Sequence, residues 1–516
     1  MSRFNPYQRN NENRRGQYGG QQRQSYGRRD DIDFQYSQNP KFDSLKFEKN
    51  FYSEHPDVKN LTQEDVKQFR SEHQMVMTGE NIPRPMTSFA QAGFPQAVNS
   101  LLAQKGFDKP TPIQGQGWPM ALSGRNVIGI AQTGSGKTLS FVLPAFTHIL
   151  AQPPVVSGQG PVCLVLAPTR ELACQIQAVV KEFGGPLGIR DSCLYGGASK
   201  GPQIGELSRS PQIIVATPGR LLDILKMGKT ALTRVTFLIL DEADRMLDMG
   251  FEEPLREILA QIRPDRQLLF WSATWPKSVQ RLARDFQGED TIQVRIGSSK
   301  LQANKSIKQV VKIVREDDKE HELVKILGEI WSAIPGDEAN RKMERTIIFS
   351  NKKHLCDKIE NGLNGSGWSA ISIHGDKDQR DRDYALNCFK KGDCPILVAT
   401  DVAARGLDVK DLKHVINFDF PNNVEDYVHR IGRTGRGGES GFAYTFFEGR
   451  TDKKNAKDLV DLLADAGQEV AQELRDMAHF SRGKSGGGGG SRYGGNSGGR
   501  GGGRSYGGGG GRSYGR

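Results

Sequence analysis

Short, mostly apolar runs recur along this chain: NVIGI (126–130), VCLVLA (162–167), QIIVA (212–216), FLIL (237–240) and QLLFW (267–271), then TIIFS (346–350), AISI (370–373), PILVAT (395–400), VINFDF (415–420) and FAYTFF (442–447). A strand that is apolar along its length, without alternation, has to be covered on both faces, as in a parallel sheet flanked by helices. Parallel neighbours need a crossover, and stretches with helical spacing such as TLSFVLPAFTHILAQ supply one. The runs fall into two sets parted by the polar GSSKLQANKS near 295–305, which predicts two α/β domains. Polar and glycine-rich clusters follow directly after the strands. In open parallel sheets the ligand crevice lies outside the carboxyl ends of the strands, so a cleft between the domains is the expected site.

The net charge of +11 is carried at the ends. Residues 1–30 hold seven arginines against Glu12 and Asp30, and residues 481–516 hold six arginines plus Lys484 with no acid, so the body between is close to neutral. Basic ends on a neutral body predict a polyanion partner attracted in a salt-sensitive way. Both ends are poor in aliphatic residues; the tail repeats GRSYG at 503–507 and 511–515. Such segments cannot bury enough apolar surface to offset their ordering entropy, so both are expected to be disordered. The six cysteines are scattered, with no CxxC pair or Cys/His cluster, which argues against zinc and for reduced thiols. No apolar run approaches membrane-spanning length, and the N-terminus has no hydrophobic signal region, so an intracellular protein without a membrane partner is expected.

Three stretches carry chemistry. AQTGSGKT (131–138) lies between a predicted strand and a predicted helix, the context of a phosphate-binding loop. Gly134 and Gly136 would let backbone N–H groups turn onto phosphate oxygens, Lys137 would reach the β- and γ-phosphates, and Thr138 would bind Mg²⁺. DEAD (241–244) follows FLIL; Asp241 could hold Mg²⁺ through water, and Glu242 could orient and deprotonate an attacking water. GFDKPTPIQ (106–114) offers Phe107 to stack on a base and Gln114, whose amide matches the N6/N7 edge of adenine, although the residues alone favour a core Phe and a surface Gln.

With these motifs the sequence resembles the DEAD-box ATP-dependent RNA helicases of helicase superfamily 2. The likeness covers roughly residues 85–470 and continues through PTREL (168–172), GG (196–197), TPGR (217–220), SAT (272–274), QRDR (379–382), ATDVAARGLD (399–408) and HRIGRTGR (429–436), in the family's order. PKFDSLKFEKNFYSEHPDV, RPDRQLLFWSATWPK and HGDKDQRDRD resemble the subfamily of the mammalian 68-kilodalton nuclear RNA helicase and its fungal counterpart. The resemblance implies two tandem RecA-like parallel-sheet domains with disordered tails: an N-terminal tail (1–40), a flanking extension (41–84), domain 1 (85–297), a linker (298–306), domain 2 (307–480) and a C-terminal tail (481–516).

It also implies the roles. ATP would be held by Phe107, Gln114, Ala131, Gln132, Thr133, Gly134, Ser135, Gly136, Lys137, Thr138 and Asp408, the last at the ribose, with Mg²⁺ on Thr138 and Asp241. Arg433 and Arg436 would be arginine fingers reaching across the cleft, acting with Lys137, Asp241 and Glu242. Ser272, Thr274, His429 and Arg430 would couple the domains, His429 and Arg430 by bracing the interface against the SAT or DEAD segments. RNA backbone would be tracked by Thr169, Arg170, Gly197, Thr217 and Arg220 on the first domain and by Gln379, Arg382 and Thr400 on the second.

The implied activity is local, ATP-driven unwinding of RNA with little sequence specificity, in a monomer that also meets ribonucleoprotein components and not DNA. Subfamily resemblance adds ribosomal RNA processing, messenger RNA turnover including nonsense-mediated decay, and presence in nucleus and cytoplasm. The competing expectations are an ATP-gated RNA clamp, in which unwinding is incidental, and a DNA translocase.

Overall fold

The computed structural model describes residues 42, 45–132, 134–156, 159–288, 290–297, 304, 306–335, 341–404, 409, 411–435 and 439–482. The two tails, most of the expected linker, and the candidate site residues Thr133, Asp408 and Arg436 lie outside the described residues.

Among the described residues the strands form two sheets. The first contains β1 (Met75–Thr78), β2 (Asn126–Ile130), β3 (Cys163–Leu166), β4 (Asp191–Leu194), β5 (Ile213–Ala216), β6 (Phe237–Leu240), β7 (Gln267–Ser272) and β8 (Thr291–Ile296), in the order β1-β8-β2-β7-β6-β3-β5-β4. The second contains β9 (Ile307–Ile313), β10 (Arg345–Phe349), β11 (Ala370–Ile373), β12 (Ile396–Ala399), β13 (Leu412–Asn417) and β14 (Gly441–Phe447), in the order β11-β12-β10-β13-β14-β9. All pairs are parallel except β1 with β8, where Met75 faces Ile296.

Each predicted run is a strand, with ends shifted by a few residues; the largest shift is in VINFDF, whose strand starts at Leu412 and ends at Asn417. β3, β5 and β6 are buried at every residue, as two-sided cover requires. Four strands were not among the predicted runs. β1, β4, β8 and β9 lie at or next to a sheet edge and mix polar with apolar residues; in β8 only Ile292 and Val294 are buried. β1 comes from the segment read as a flanking extension. That segment also straps the first sheet: the Phe51 N–H donates to the Leu122 carbonyl (2.7 Å), and Arg263 donates to that of Leu45 (3.1 Å).

Strand order decides where the motifs meet. β2, β7 and β6 are neighbours, so the 131–138 loop, the 272–274 segment and the 241–244 segment leave one stretch of the carboxyl edge side by side. β3, β5 and β4 are also neighbours and release Thr169, Thr217 and Gly197 along the rest of that edge.

Candidate nucleotide cleft and nucleic-acid rim

The loop after β2 turns into helix Lys137–Ala151 through two glycines with positive φ, Gly134 (77°) and Gly136 (92°). A Cβ on Gly136 would lie 2.6 Å from Gln114 Nε2 and 2.9 Å from Thr111 Oγ1, so the loop admits only glycine there. Lys137 is buried, and its Nζ donates to the Ala131 carbonyl (2.7 Å); Ser135 Oγ donates to that of Gln132 (2.8 Å). Thr138 is half-buried one residue on. Gln114 is buried rather than on the surface. Its Oε1 accepts from the Thr111 N–H (3.0 Å) and its Nε2 donates to the Gly136 carbonyl (3.1 Å), which ties the segment before the loop to the loop. Phe107 is exposed, where a flat ligand can reach its face.

Two strands away, β6 is followed directly by Asp241, whose Oδ1 accepts from the Glu242 N–H (3.0 Å). Burial pushes the Asp241 carboxyl up to about 7, opposed by the Lys137 charge and aided by Glu242 and Asp244. Glu242 adopts a left-handed conformation (φ 51°, ψ 50°), a strain of about 1–3 kcal/mol for a residue with a side chain. Its Oε2 is buried with no hydrogen-bond partner among the described residues. A strained, buried carboxylate with an unsatisfied oxygen beside a buried carboxyl and a buried lysine is an arrangement a cation, a water and a polyphosphate would complete. No cluster of metal-ligating side chains of the usual His/Cys/Asp/Glu kind occurs among the described residues; a cation there would draw on phosphate and water oxygens as well.

Asp244 joins three segments. It accepts from the N–H (3.0 Å) and Oγ1 (2.7 Å) of Thr274, and His429 Nε2 of the second sheet's helix Val424–Ile431 lies 3.4 Å away. Ser272 Oγ donates to the Thr274 carbonyl (2.8 Å), completing the link from β7. Burial alone would raise the Asp244 carboxyl, but the hydrogen bonds to His429 and Thr274 and the Arg245 charge hold it well below the usual carboxylate range. Burial, helped by Arg245, lowers the His429 imidazole against the pull of Asp244.

Arg430, expected at the same interface, turns instead into its own sheet. Its guanidinium grips Asp401 with two bonds (2.6 and 2.7 Å), donates to the Asp419 carbonyl and Asn351 Oδ1 (2.6 Å each), and lies over the Phe349 ring. Arg433 is buried, its Nε donating to the His429 carbonyl (3.2 Å), and it lines one small pocket with Arg245, Asp401, His429 and Arg430.

Along β3, β5 and β4 the rim is built from helix starts. Thr169 caps helix Arg170–Gly184 by accepting from the Leu172 N–H (3.2 Å), and Thr217 precedes helix Pro218–Lys226, where Arg220 donates to the Ala198 carbonyl (2.9 Å). On the second sheet, helix Gln379–Lys391 is capped by Asp378, and Thr400 follows β12 with its N–H donating to the Ile373 carbonyl. The two rims touch. Arg170 pairs with Asp383 (3.1 Å), Arg382 with Glu171 (3.3 Å), and a Cβ on Gly197 would meet Gln379 Oε1 at 2.6 Å. Asp383 and Glu171, and Arg245 with its ion-pair partner Asp426, are cross-sheet contact residues that sequence reading passed over, because a pairing between distant segments leaves no local pattern.

Two family models match the chain: DEAD/DEAH box helicase over residues 111–282, and Helicase conserved C-terminal domain over residues 318–438. The chain is 55% identical over 449 residues to the ATP-dependent RNA helicase dbp2 of Aspergillus niger, covering 87% of this chain and 78% of that protein. It is equally identical over 449 residues to the enzyme of the same name from Ajellomyces capsulatus, covering 87% and 80%. Among solved structures it resembles Dbp5 of S. cerevisiae bound to RNA and ADP BeF3, with 26% identity and a TM-score of 0.63, over 77% of this chain and 98% of that one. The chain belongs to the DEAD-box family and is an ATP-dependent RNA helicase of the Dbp2 type.

Proposed function

We propose that ATP sits between the 131–138 loop and the helix that carries Arg433, and that its hydrolysis drives closing and reopening of the two sheets around one RNA strand. The observation that carries this reading is the contact of Asp244 with His429, which ties the DEAD segment to the second sheet. Lys137 and the loop N–H groups bind the phosphates, Gln114 and Phe107 receive the base, and Asp408 the ribose. Thr138 and Asp241 are the residues that would hold Mg²⁺, whose chemistry is to neutralise charge across the β- and γ-phosphates. Glu242 orients and deprotonates the attacking water, and Arg433 and Arg436 offset charge developing on the transferred group.

Thr169, Arg170, Gly197, Thr217, Arg220, Gln379, Arg382 and Thr400 bind RNA by its backbone, so recognition is of sugar and phosphate rather than sequence. Closure bends the strand and parts a short duplex without long-range translocation. The basic tails add a second, salt-sensitive hold on RNA. Kinship with the Dbp2 enzymes supports work on ribosomal RNA and in messenger RNA turnover, including nonsense-mediated decay. The proposed setting is nucleus and cytoplasm, as a monomer among ribonucleoprotein components.

The test is ATP hydrolysis with and without single-stranded RNA, for the wild type and for Glu242→Gln and Arg433→Ala. Strong RNA stimulation lost in both variants is the expected result. Hydrolysis indifferent to RNA, or unharmed by Arg433→Ala, would put the ATP-gated clamp in front.

A further inference from the structure

We propose that Arg245 and Asp426 form a clasp that sets the rotation of helix Val424–Ile431 against the DEAD segment, making Arg245 a positioning residue for the arginine that this helix delivers. Arg245, in helix Ala243–Asp248 of the first sheet, forms an ion pair with Asp426 of the second sheet and a further one with Asp248 (3.0 Å). Arg245 and Asp426 are 3% and 8% exposed, so the pair is sealed from solvent where the two sheets meet.

The argument is geometric. Asp244 and Arg245 are consecutive, and their partners His429 and Asp426 lie three residues apart on one helix. Residues at that spacing share a helix face about 5–6 Å apart. One contact is a pivot, about which a helix can still swing; two contacts at that separation fix its direction and rotation. What the rotation sets is Arg433, whose N–H donates to the Arg430 carbonyl (3.1 Å) and whose Nε donates to the His429 carbonyl (3.2 Å), so its position follows the helix end. Asp426 is itself fixed at the first turn, its N–H donating to Asn423 Oδ1 (2.7 Å).

Electrostatics makes the clasp specific to the docked arrangement. Parted, both charges regain water; docked, both are desolvated, so removing either one takes a charged partner from the other, although Arg245 keeps Asp248. The proposal rests on the closure reading above.

The test uses the full chain with Arg245→Met, Asp426→Asn and the double variant, in RNA-stimulated ATP hydrolysis, alongside binding of a fluorescent ATP analogue without RNA. Each single variant is expected to lower RNA-stimulated kcat at least tenfold. The double variant should fall no further than the worse single one, and analogue affinity without RNA should stay within twofold of the wild type. Unchanged kcat, or losses that multiply in the double variant, would overturn the clasp. So would loss of analogue binding with a lowered melting temperature, which would make Arg245 a prop of the first sheet alone. A wild type without RNA stimulation would instead overturn the closure reading itself.

Discussion

Asp244, four residues past the end of β6, lies 3.4 Å from His429 of the second sheet, and both side chains are buried. Segments almost two hundred positions apart thus share one hydrogen-bonded site, and Thr274 completes it from β7. A group that senses both the nucleotide side and the opposite sheet is where binding and domain position can be linked.

Arg430 is predicted to hold the second sheet together rather than to bind substrate. Arg430→Ala leaves Asp401 and the Asp419 carbonyl without their buried donor, a loss of about 3–5 kcal/mol for a broken buried pair. Denaturant titration should show an earlier transition. Arg430→Lys should recover only part of it, since an ammonium cannot make the forked contact.

Gly197→Ala is predicted to weaken RNA binding while sparing ATP. The position has φ 76°, which strains any residue with a side chain, and a methyl group there meets Gln379 Oε1 at 2.6 Å, so the Gln379 amide has to leave its place on the rim. A loss of about tenfold in RNA affinity corresponds to roughly 1.4 kcal/mol. Fluorescence anisotropy with labelled RNA, against nucleotide binding without RNA, measures both arms.

Acid is predicted to destabilise the first sheet through His148. Its Nε2 and Thr236 Oγ1 are 2.8 Å apart, and the ring sits among Phe47, Phe51 and Phe237. Burial, with help from the Lys49 charge, pushes its pKa down to about 3. In the unfolded chain a histidine titrates near 6.5, so between that value and 3 the unfolded state binds the proton and the folded state does not. Stability therefore falls as pH drops below about 6.5, by about 2 kcal/mol at pH 5 from this group. Urea titrations at pH 7.5 and 5.0 should show that share of the difference removed in His148→Gln.

Cys174 is predicted to react with iodoacetamide ahead of the buried Cys163, Cys193 and Cys356. A hydrogen bond from the Cys193 thiol brings the Cys174 thiol below its usual value, against burial and with help from the Arg170 charge. Burial pushes Cys163 well up and Cys356 up to about 12. The thiolate is the nucleophile, so the order follows. Peptide mass spectrometry over a time course gives the order, and Arg170→Gln should slow Cys174.

The chain's own letters determined the fold class and most of the strands, because two-sided burial forces long apolar runs that need no partner to be recognised. The phosphate loop and the DEAD segment were legible for the same reason: glycines, lysine and acids stand at strand ends in sequence as they do in space. Edge strands such as β1 and β4 escaped, since an edge is covered on fewer sides and tolerates polar residues. Only the tertiary structure decided that Glu242 is left-handed with an unsatisfied oxygen, that Gln114 is buried against Gly136, that Arg430 faces inward, and that Arg245 meets Asp426. Strain, burial and ion pairing across two sheets arise when segments distant in sequence are packed together, so no local pattern carries them.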